Sequence, residues 1–469
     1  MSAMISALAI AVLLLGIGVA LRLTWSWLAR LFLPASLVGG LVGLLFGPEV
    51  LGAAMSAAGG EGHVLVAGLI PNDARDVMKQ VPGLAISVVF AALFLGERIP
   101  GPAEIWRIAG PQVAFGQTLA WGQYVVGLVL AITILTPVYG LPPVAGALIE
   151  IGFEGGHGTA GGLAATFHAV GFPEGKDLAL GLATVGVIAA VLIGVALVNW
   201  AARRGIIDPT GRAVLPESGA GEGPSSPPAR SLDDVIAPLS LAAVVVAASI
   251  GVGWIILAAL TATEQLVIPP GAPGILSHMP LFPFAMIGGV IVQRGLTACG
   301  WQDLVDRRMV RALKGLALDF LILCAVATLS LAAIGTHLVP FALLAVAGIV
   351  WCVACFALLA PVLMREWWFE RAIADLGQSL GMTATGLMLL SMSDPQNRSP
   401  ALASFGAKQL LFEPIVGGGL FTAAAMPLIA AFGPWPILLF TALITLFWIA
   451  LGLILFGRLP LLRREHDTP

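Results

Sequence analysis

Charge is what this chain is short of. Charged residues are 10% of its 469, against about 25% in a soluble domain. The shortage excludes an ordinary soluble globule. A net charge of -3 with no basic patch excludes a nucleic-acid partner. Cysteine is also scarce: Cys299, Cys324, Cys352 and Cys355 all fall in or beside apolar segments. Cys352 and Cys355 make a C-x-x-C with no second pair and no histidine partner, so they read as small packing residues rather than metal ligands or a redox pair. No H-E-x-x-H, no G-x-S-x-G and no paired-aspartate motif at helical spacing occurs, and Glu154 with His157 is too little for an enzyme. No resident metal or cofactor is expected.

What fills the chain is apolar: 58% hydrophobic residues and a mean hydropathy of +0.98. Apolar runs long enough to cross a bilayer recur near 3–21, 34–52, 81–97, 110–136, 177–200, 236–260, 275–293, 313–334, 338–364, 402–430 and 435–457. No Lys or Arg precedes the first run, and Arg22 and Arg30 follow it. That order is the reverse of a signal peptide and predicts a genuine first span.

Positive charge assigns the sides. Arg22 and Arg30 share one connection, Arg98 and Arg107 another, and Arg203, Arg204, Arg212 and Arg230 lie in the central loop. Arg294, Arg307, Arg308, Arg311 and Lys314 cluster later, and Arg458, Arg463 and Arg464 end the chain. Connections 261–274, 335–337 and 431–434 hold no Lys or Arg. Alternating spans then put the N-terminus outside and the C-terminus in the cytoplasm. The 53–80 connection runs against the pattern, with Arg75 and Lys79 offset by Glu61, Asp73 and Asp76.

Residues 205–235 are rich in Gly, Pro, Ser and charge and read as a flexible cytoplasmic linker. The segments on either side, 1–204 and 236–434, match each other. Leu33-Pro34-Ala35-Ser36-Leu37-Val38-Gly39-Gly40 parallels Phe282-Pro283-Phe284-Ala285-Met286-Ile287-Gly288-Gly289, and Gly83-Leu84-Ala85 parallels Gly315-Leu316-Ala317. Each half contributes five spans, an odd number, so the second copy enters the membrane from the opposite face. The expected fold is an all-α polytopic membrane protein of two inverted repeats, with 435–469 an added helix and tail outside the repeat.

Each half also carries a glycine-rich, polar interruption: Glu154 to Gly162 within a re-entrant stretch at 141–169, and Gly377 to Gly386 within another at 372–393. Glycine runs do not hold a helix cheaply, and bare backbone cannot face lipid. Such breaks survive where they line a cavity or are buried in protein, and a matched pair points to a transporter's binding site.

On these residues the chain resembles the bacterial sodium:glutamate symporters, the ESS family, as a divergent member. Gly155-Gly156-His157-Gly158-Thr159 is similar to that family's G-G-H-G-T motif. Leu33-Pro34 to Gly40 is similar to its early proline-then-Gly-Gly span. Gly381-Met382-Thr383-Ala384-Thr385 stands where the family has G-A-T-P-T, followed by a similar Arg398-Ser399-Pro400-Ala401-Leu402-Ala403. The resemblance implies a secondary carrier, related in fold to the citrate:sodium symporters and usually a homodimer. It would take up L-glutamate or a similar small carboxylate with sodium, through a site where the two tips meet. The sequence departs from the family at Ala384 in place of a proline, at Glu154 directly before the first motif, and at Glu413-Pro414 inside the tenth span.

The candidate site follows from the chemistry of those residues. Gly155, Gly156, Gly158 and Gly381 let a substrate approach backbone amides, which attract a carboxylate at a helix start. Tight packing of the tips is the plainer role for the same glycines. His157 can donate to a carboxylate or carry a proton. Met382 lies in the second tip, and Arg398 after it either attracts a carboxylate or anchors a cytoplasmic end. Thr159, Thr383 and Thr385 offer hydroxyl oxygens to a sodium ion, or bond back to their own helices. Charges within spans are costly and usually functional. Asp319 is one, with Lys314 or Arg311 as structural partners in reach; Glu413 is another, and could pair with Lys408. Glu154 is expected to be an ion ligand or a proton site. A proton-coupled carrier of a dicarboxylate or 2-hydroxy acid is the other carrier reading, and a channel is a rival class.

Overall fold

A computed structural model describes residues 2–25, 28, 33–59, 64–96, 101–207, 233–267, 274 and 276–457. Glu61, Arg30, Arg98, Arg212, Arg230, Arg458, Arg463, Arg464 and most of the central linker lie outside the described residues.

Stretches apolar on every side become helices, because a helix pairs its own backbone groups without water. In chain order the helices that matter are α1 (Ser2–Thr24), α2 (Ala35–Leu45), α3 (Asn72–Met78), α4 (Val81–Ala91), α5 (Pro102–Leu130), α6 (Leu148–Gly152), α7 (Gly156–Gly162), α8 (Ala164–Ala169), α9 (Gly175–Arg203) and α10 (Asp233–Val267). They continue with α11 (Phe282–Ala298), α12 (Arg307–Ala327), α13 (Leu331–Thr336), α14 (Leu338–Ala354), α15 (Trp368–Leu380), α16 (Thr383–Ser393), α17 (Ala401–Phe412), α18 (Leu420–Phe432) and α19 (Pro434–Leu455). No strand occurs among the described residues. Seven continuous helical stretches there are long and apolar enough to cross a membrane: Ala3–Thr24, Ala35–Ala58, Ala103–Tyr139, Gly175–Arg203, Val235–Val267, Leu338–Leu363 and Pro434–Leu455. The chain is therefore an all-α protein of membrane character.

The continuous spans are fewer than the eleven apolar runs, for local reasons. The third run is helical only over Val81–Ala91. The eighth forms a helix of 21 residues, Arg307–Ala327, but Arg307, Arg308, Arg311, Lys314 and Asp319 leave it too charged to count as an apolar span; it ends where the Thr328 hydroxyl turns back to the Cys324 carbonyl, and Ser330 caps α13 through the amide of Ala333. The tenth run is two helices. α17 ends at Phe412, and the chain passes through Gly417 and Gly418, at φ +72° and +103°, before α18 begins. Those angles suit glycine and break a right-handed helix.

Two compact units form, each drawn from both halves of the chain. The first comprises 1–99, 157–181 and 223–338; the second comprises 100–156, 182–222 and 339–469. In the first unit α2 packs between α1 and α12, while α11 packs between α10 and α4. Paired glycines set both contacts. A Cβ on Gly39 would stand 2.4 Å from the Leu14 carbonyl oxygen of α1, and one on Gly40 3.0 Å from the Leu323 carbonyl oxygen of α12. A Cβ on Gly288 would stand 2.1 Å from the Ser249 carbonyl oxygen of α10, and one on Gly289 2.4 Å from the Ala91 carbonyl oxygen of α4. Each Gly-Gly pair thus brings its helix against backbone on two sides. The two cations that break the charge pattern also find acids here. Arg75 lies 3.6 Å from Glu49 and Lys79 2.8 Å from Asp76, whose carboxyl this ammonium holds below its usual range.

In the second unit α5 is the spine, packed by α15, α17 and α19 and by the turn Pro143–Ala147 that leads into α6. α15 and α16 lie side by side. A Cβ on Gly386 would stand 2.3 Å from the Ala374 carbonyl oxygen, so a bare α-carbon permits that approach.

Candidate functional site

Both predicted interruptions are real breaks between short helices. In the first, α6 stops at Gly152, the Gly155 amide donates to the Glu150 carbonyl at 2.8 Å, and Gly156 turns the chain at φ +66°. In the second, the Gly381 amide closes α15 on the Gly377 and Gln378 carbonyls, both at 3.1 Å. Met382 is then fully extended (φ -159°, ψ 164°), and α16 starts at Thr383. Ala384 is exposed in the first turn of α16, a place that accepts proline or alanine alike, so the break forms without the proline of the resembled motif.

Within the second unit the two breaks touch. The Gly381 carbonyl oxygen is 3.6 Å from the place of a Cβ on Gly156. On the far side of the second break, a Cβ on Gly186 of α9 would stand 2.0 Å from the Leu380 carbonyl oxygen.

Around this meeting point lie buried polar side chains of two kinds. Glu150 of α6 is fully engaged: it accepts from the Tyr124 hydroxyl of α5, from the Gly417 amide at 2.8 Å and from the Thr422 hydroxyl at 2.7 Å. Glu150 therefore ties the first break to the glycine turn before α18. Glu154, four residues on, is only 5% exposed, and its carboxylate oxygens make no hydrogen bond of good geometry. Ser379 stands beside it, and Lys408, Glu150 and Asp375 are the charges in its electrostatic reach. The Ser379 hydroxyl and the Gln123 amide oxygen are likewise buried without a hydrogen bond of good geometry, although Gln123 donates through Nε2 to the Ser379 carbonyl at 2.7 Å. Lys408 of α17 is 0% exposed and bonds Asp375 at 2.8 Å and Gln378 at 3.0 Å. The ion pair of Lys408 is thus with Asp375, where the sequence offers Glu413 as a candidate partner. Glu413 is half-buried at the end of α17.

The other sequence-predicted residues fall as follows. Gly155, Gly156, Gly381, Met382, Thr383, Thr385 and Arg398 belong to the second unit; Thr385 is buried, Met382 and Thr383 half-buried, and Arg398 exposed in the turn before α17. His157, Gly158, Thr159 and Asp319 belong to the first unit. His157 and Thr159 are buried on α7, and Asp319 is half-buried on α12. Gly158 and Gly161 lie along that unit's interior, facing Leu318 and Leu321, and Pro82 and Ala325, respectively.

Sequence reasoning missed Tyr124, Gln123, Asp375, Gln378 and Thr422. Asp375 carried a readable signal, an acid within the stretch 372–393 just before the second interruption. The others are ordinary polar residues on helices, marked only by partners distant in sequence. An apolar groove of about 540 Å³ also opens on the second unit, lined by residues such as Trp121, Phe421, Phe440 and Trp448. It offers no charge to a carboxylate. Among the described residues no group of three or more His, Cys, Asp or Glu could hold a metal ion.

No protein-family profile matches the chain, and no curated protein matches it in sequence.

Proposed function

We propose that this protein is a secondary active carrier that couples uptake of a small carboxylate, L-glutamate or a close relative, to a cation gradient by alternating access. One observation carries the reading: Glu154, a buried carboxylate whose oxygens make no hydrogen bond of good geometry, sits where two broken helices meet. A bare carboxylate buried among apolar helices costs several kcal/mol unless a cation or proton joins it. A site that gains stability when such a particle arrives, and is empty without it, is what coupling requires.

The two glycine pairs support an inverted repeat. Gly39-Gly40 and Gly288-Gly289 occupy matching places in sequence and make matching helix contacts, the helix of the first apolar run of the same half on one side and that of the third apolar run of the opposite half on the other. Repeats of this kind let one site face either side in turn. On this reading the protein spans the inner membrane with its N-terminus outside, the breaks are re-entrant tips, and two copies form the working dimer. Gly155, Gly156 and Gly381 would offer backbone to the substrate; Thr383 and Thr385 would offer oxygen to substrate or cation.

Reconstitution in liposomes tests this. Labelled glutamate, and then a panel of dicarboxylates and 2-hydroxy acids, is offered with an imposed sodium gradient, a proton gradient, or neither. Saturable uptake with counterflow is the expected result. Non-saturating flux would replace the carrier with a channel, and turnover in detergent without any gradient would replace it with an enzyme.

A further inference from the structure

Lys408 is wholly buried, and the fold makes room for it on purpose. Gly116 of α5 faces its stem: a Cβ there would lie 3.0 Å from both Cδ and Nζ of the lysine. The ammonium has three donors. One goes to Asp375 Oδ1 at 2.8 Å and one to Gln378 Oε1 at 3.0 Å. The nitrogen also lies 4.1 Å from the centroid of the Phe412 ring and 5.3 Å from that of Phe405.

The surroundings hold more acceptors than one ammonium can use. Asp375 Oδ2 is buried and makes no hydrogen bond of good geometry, although the Gln112 side chain stands beside it, and the Gln112 amide oxygen is buried in the same condition. Arg371, one helical turn before Asp375, and Glu154 are the other charged groups in reach. Stability alone does not account for the pair, because replacing a buried ion pair by apolar side chains is often neutral or favourable. A carboxylate, amide oxygens and an aromatic face are together what a monovalent cation takes in place of water.

We propose that Asp375, Gln378 and the Phe412 ring form a monovalent-cation seat, which Lys408 fills permanently from its own helix. Sodium or potassium then enters this seat only when the ammonium is removed. The inference concerns binding at rest and stands whether or not the protein is a carrier. If it is one, the seat is closed to the transported cation, and Glu154 is left as the buried carboxylate open to it.

The test uses the full purified chain in detergent. Its melting temperature is measured in choline, sodium, potassium and methylammonium chloride at equal ionic strength, since a ligand that binds the folded state raises it. The wild type should melt alike in all four salts. Lys408→Ala should melt lower in choline and be raised toward wild type by methylammonium and by sodium. Adding Asp375→Asn should abolish that rescue. Lys408→Gln, which disturbs packing less, should likewise melt higher in sodium than in choline. Should neither single variant be recovered from choline buffer, purification in methylammonium chloride replaces the melting comparison. Recovery there supports the seat, and loss in both buffers overturns it. Sodium-specific stabilisation of the wild type, or equal melting of both variants in every salt, overturns it as well.

Discussion

Gly289 meets the carbonyl of Ala91 so closely that a Cβ would stand 2.4 Å from the oxygen. Gly40 meets the carbonyl of Leu323 in the same manner, at 3.0 Å. Neither backbone can move without its helix. Alanine at Gly289 should therefore lower stability by about 1–3 kcal/mol, the usual cost of overpacking, with Gly40→Ala somewhat milder. Gly16 of α1 has no atom within 4 Å of its would-be Cβ, so Gly16→Ala should be neutral or stabilising. Melting curves of the three variants in one detergent check the order; equal losses in all three would refute it.

These glycines also show how far sequence reaches. The matched Gly-Gly pairs were visible as letters, and the structure gives them matching helix contacts. Both interruptions were visible too, because glycine and polar residues have few places within apolar helix. The break at Gly417-Gly418 was hidden, since a run of apolar residues on both sides reads as one span. Its role depends on Glu150, more than two hundred residues away. The Lys408–Asp375 pair was hidden for the same reason: an ion pair is a relation between helices, and one sequence records only its two ends. Glu413, the nearer acid in the chain, was the wrong partner because it follows the end of α17, while Lys408 points to α15.

Gly156 takes φ +66° where the chain turns into α7. Space is not the obstacle there, since the nearest atom to a would-be Cβ is 3.6 Å away. Conformation is, because a left-handed residue with a side chain costs about 1–2 kcal/mol. Gly156→Ala should be destabilised by that amount, and Gly156→Asn by less, because asparagine tolerates this region. Thermal unfolding of the two variants separates strain from crowding: crowding would make the larger asparagine the worse of the two.

Glu150 accepts from Tyr124, Gly417 and Thr422, and so holds the first break to the start of α18. Bonds to a charged acceptor contribute about 1.5–3 kcal/mol each when deleted. Thr422→Val should lower stability within that range. Tyr124→Phe should cost less, since only Thr422→Val also takes away the acceptor of the Gly418 amide, 3.2 Å from the Thr422 hydroxyl. Protease sensitivity at 413–419 should rise in Thr422→Val ahead of global unfolding. Cleavage that tracks global unfolding instead would show that Glu150 does not pin this turn.

Glu154 reverses that logic. Its carboxylate oxygens make no hydrogen bond of good geometry, and the neighbouring Ser379 hydroxyl can donate to an amide oxygen as well, so Glu154→Gln removes a buried charge and breaks no well-formed bond. Stability should be unchanged or higher, in contrast to the loss predicted around Glu150, which lies on the same short segment and is as deeply buried. Transport should respond in the opposite sense. If the coupling cation or proton joins this carboxylate, the amide should abolish the response of uptake to the gradient while leaving substrate exchange without a gradient intact. Both readouts come from one preparation: melting in detergent, then gradient-driven uptake and counterflow in liposomes. A variant that stays fully coupled would remove Glu154 from the ion path. One that loses stability would show that its oxygens have a partner in the folded protein after all.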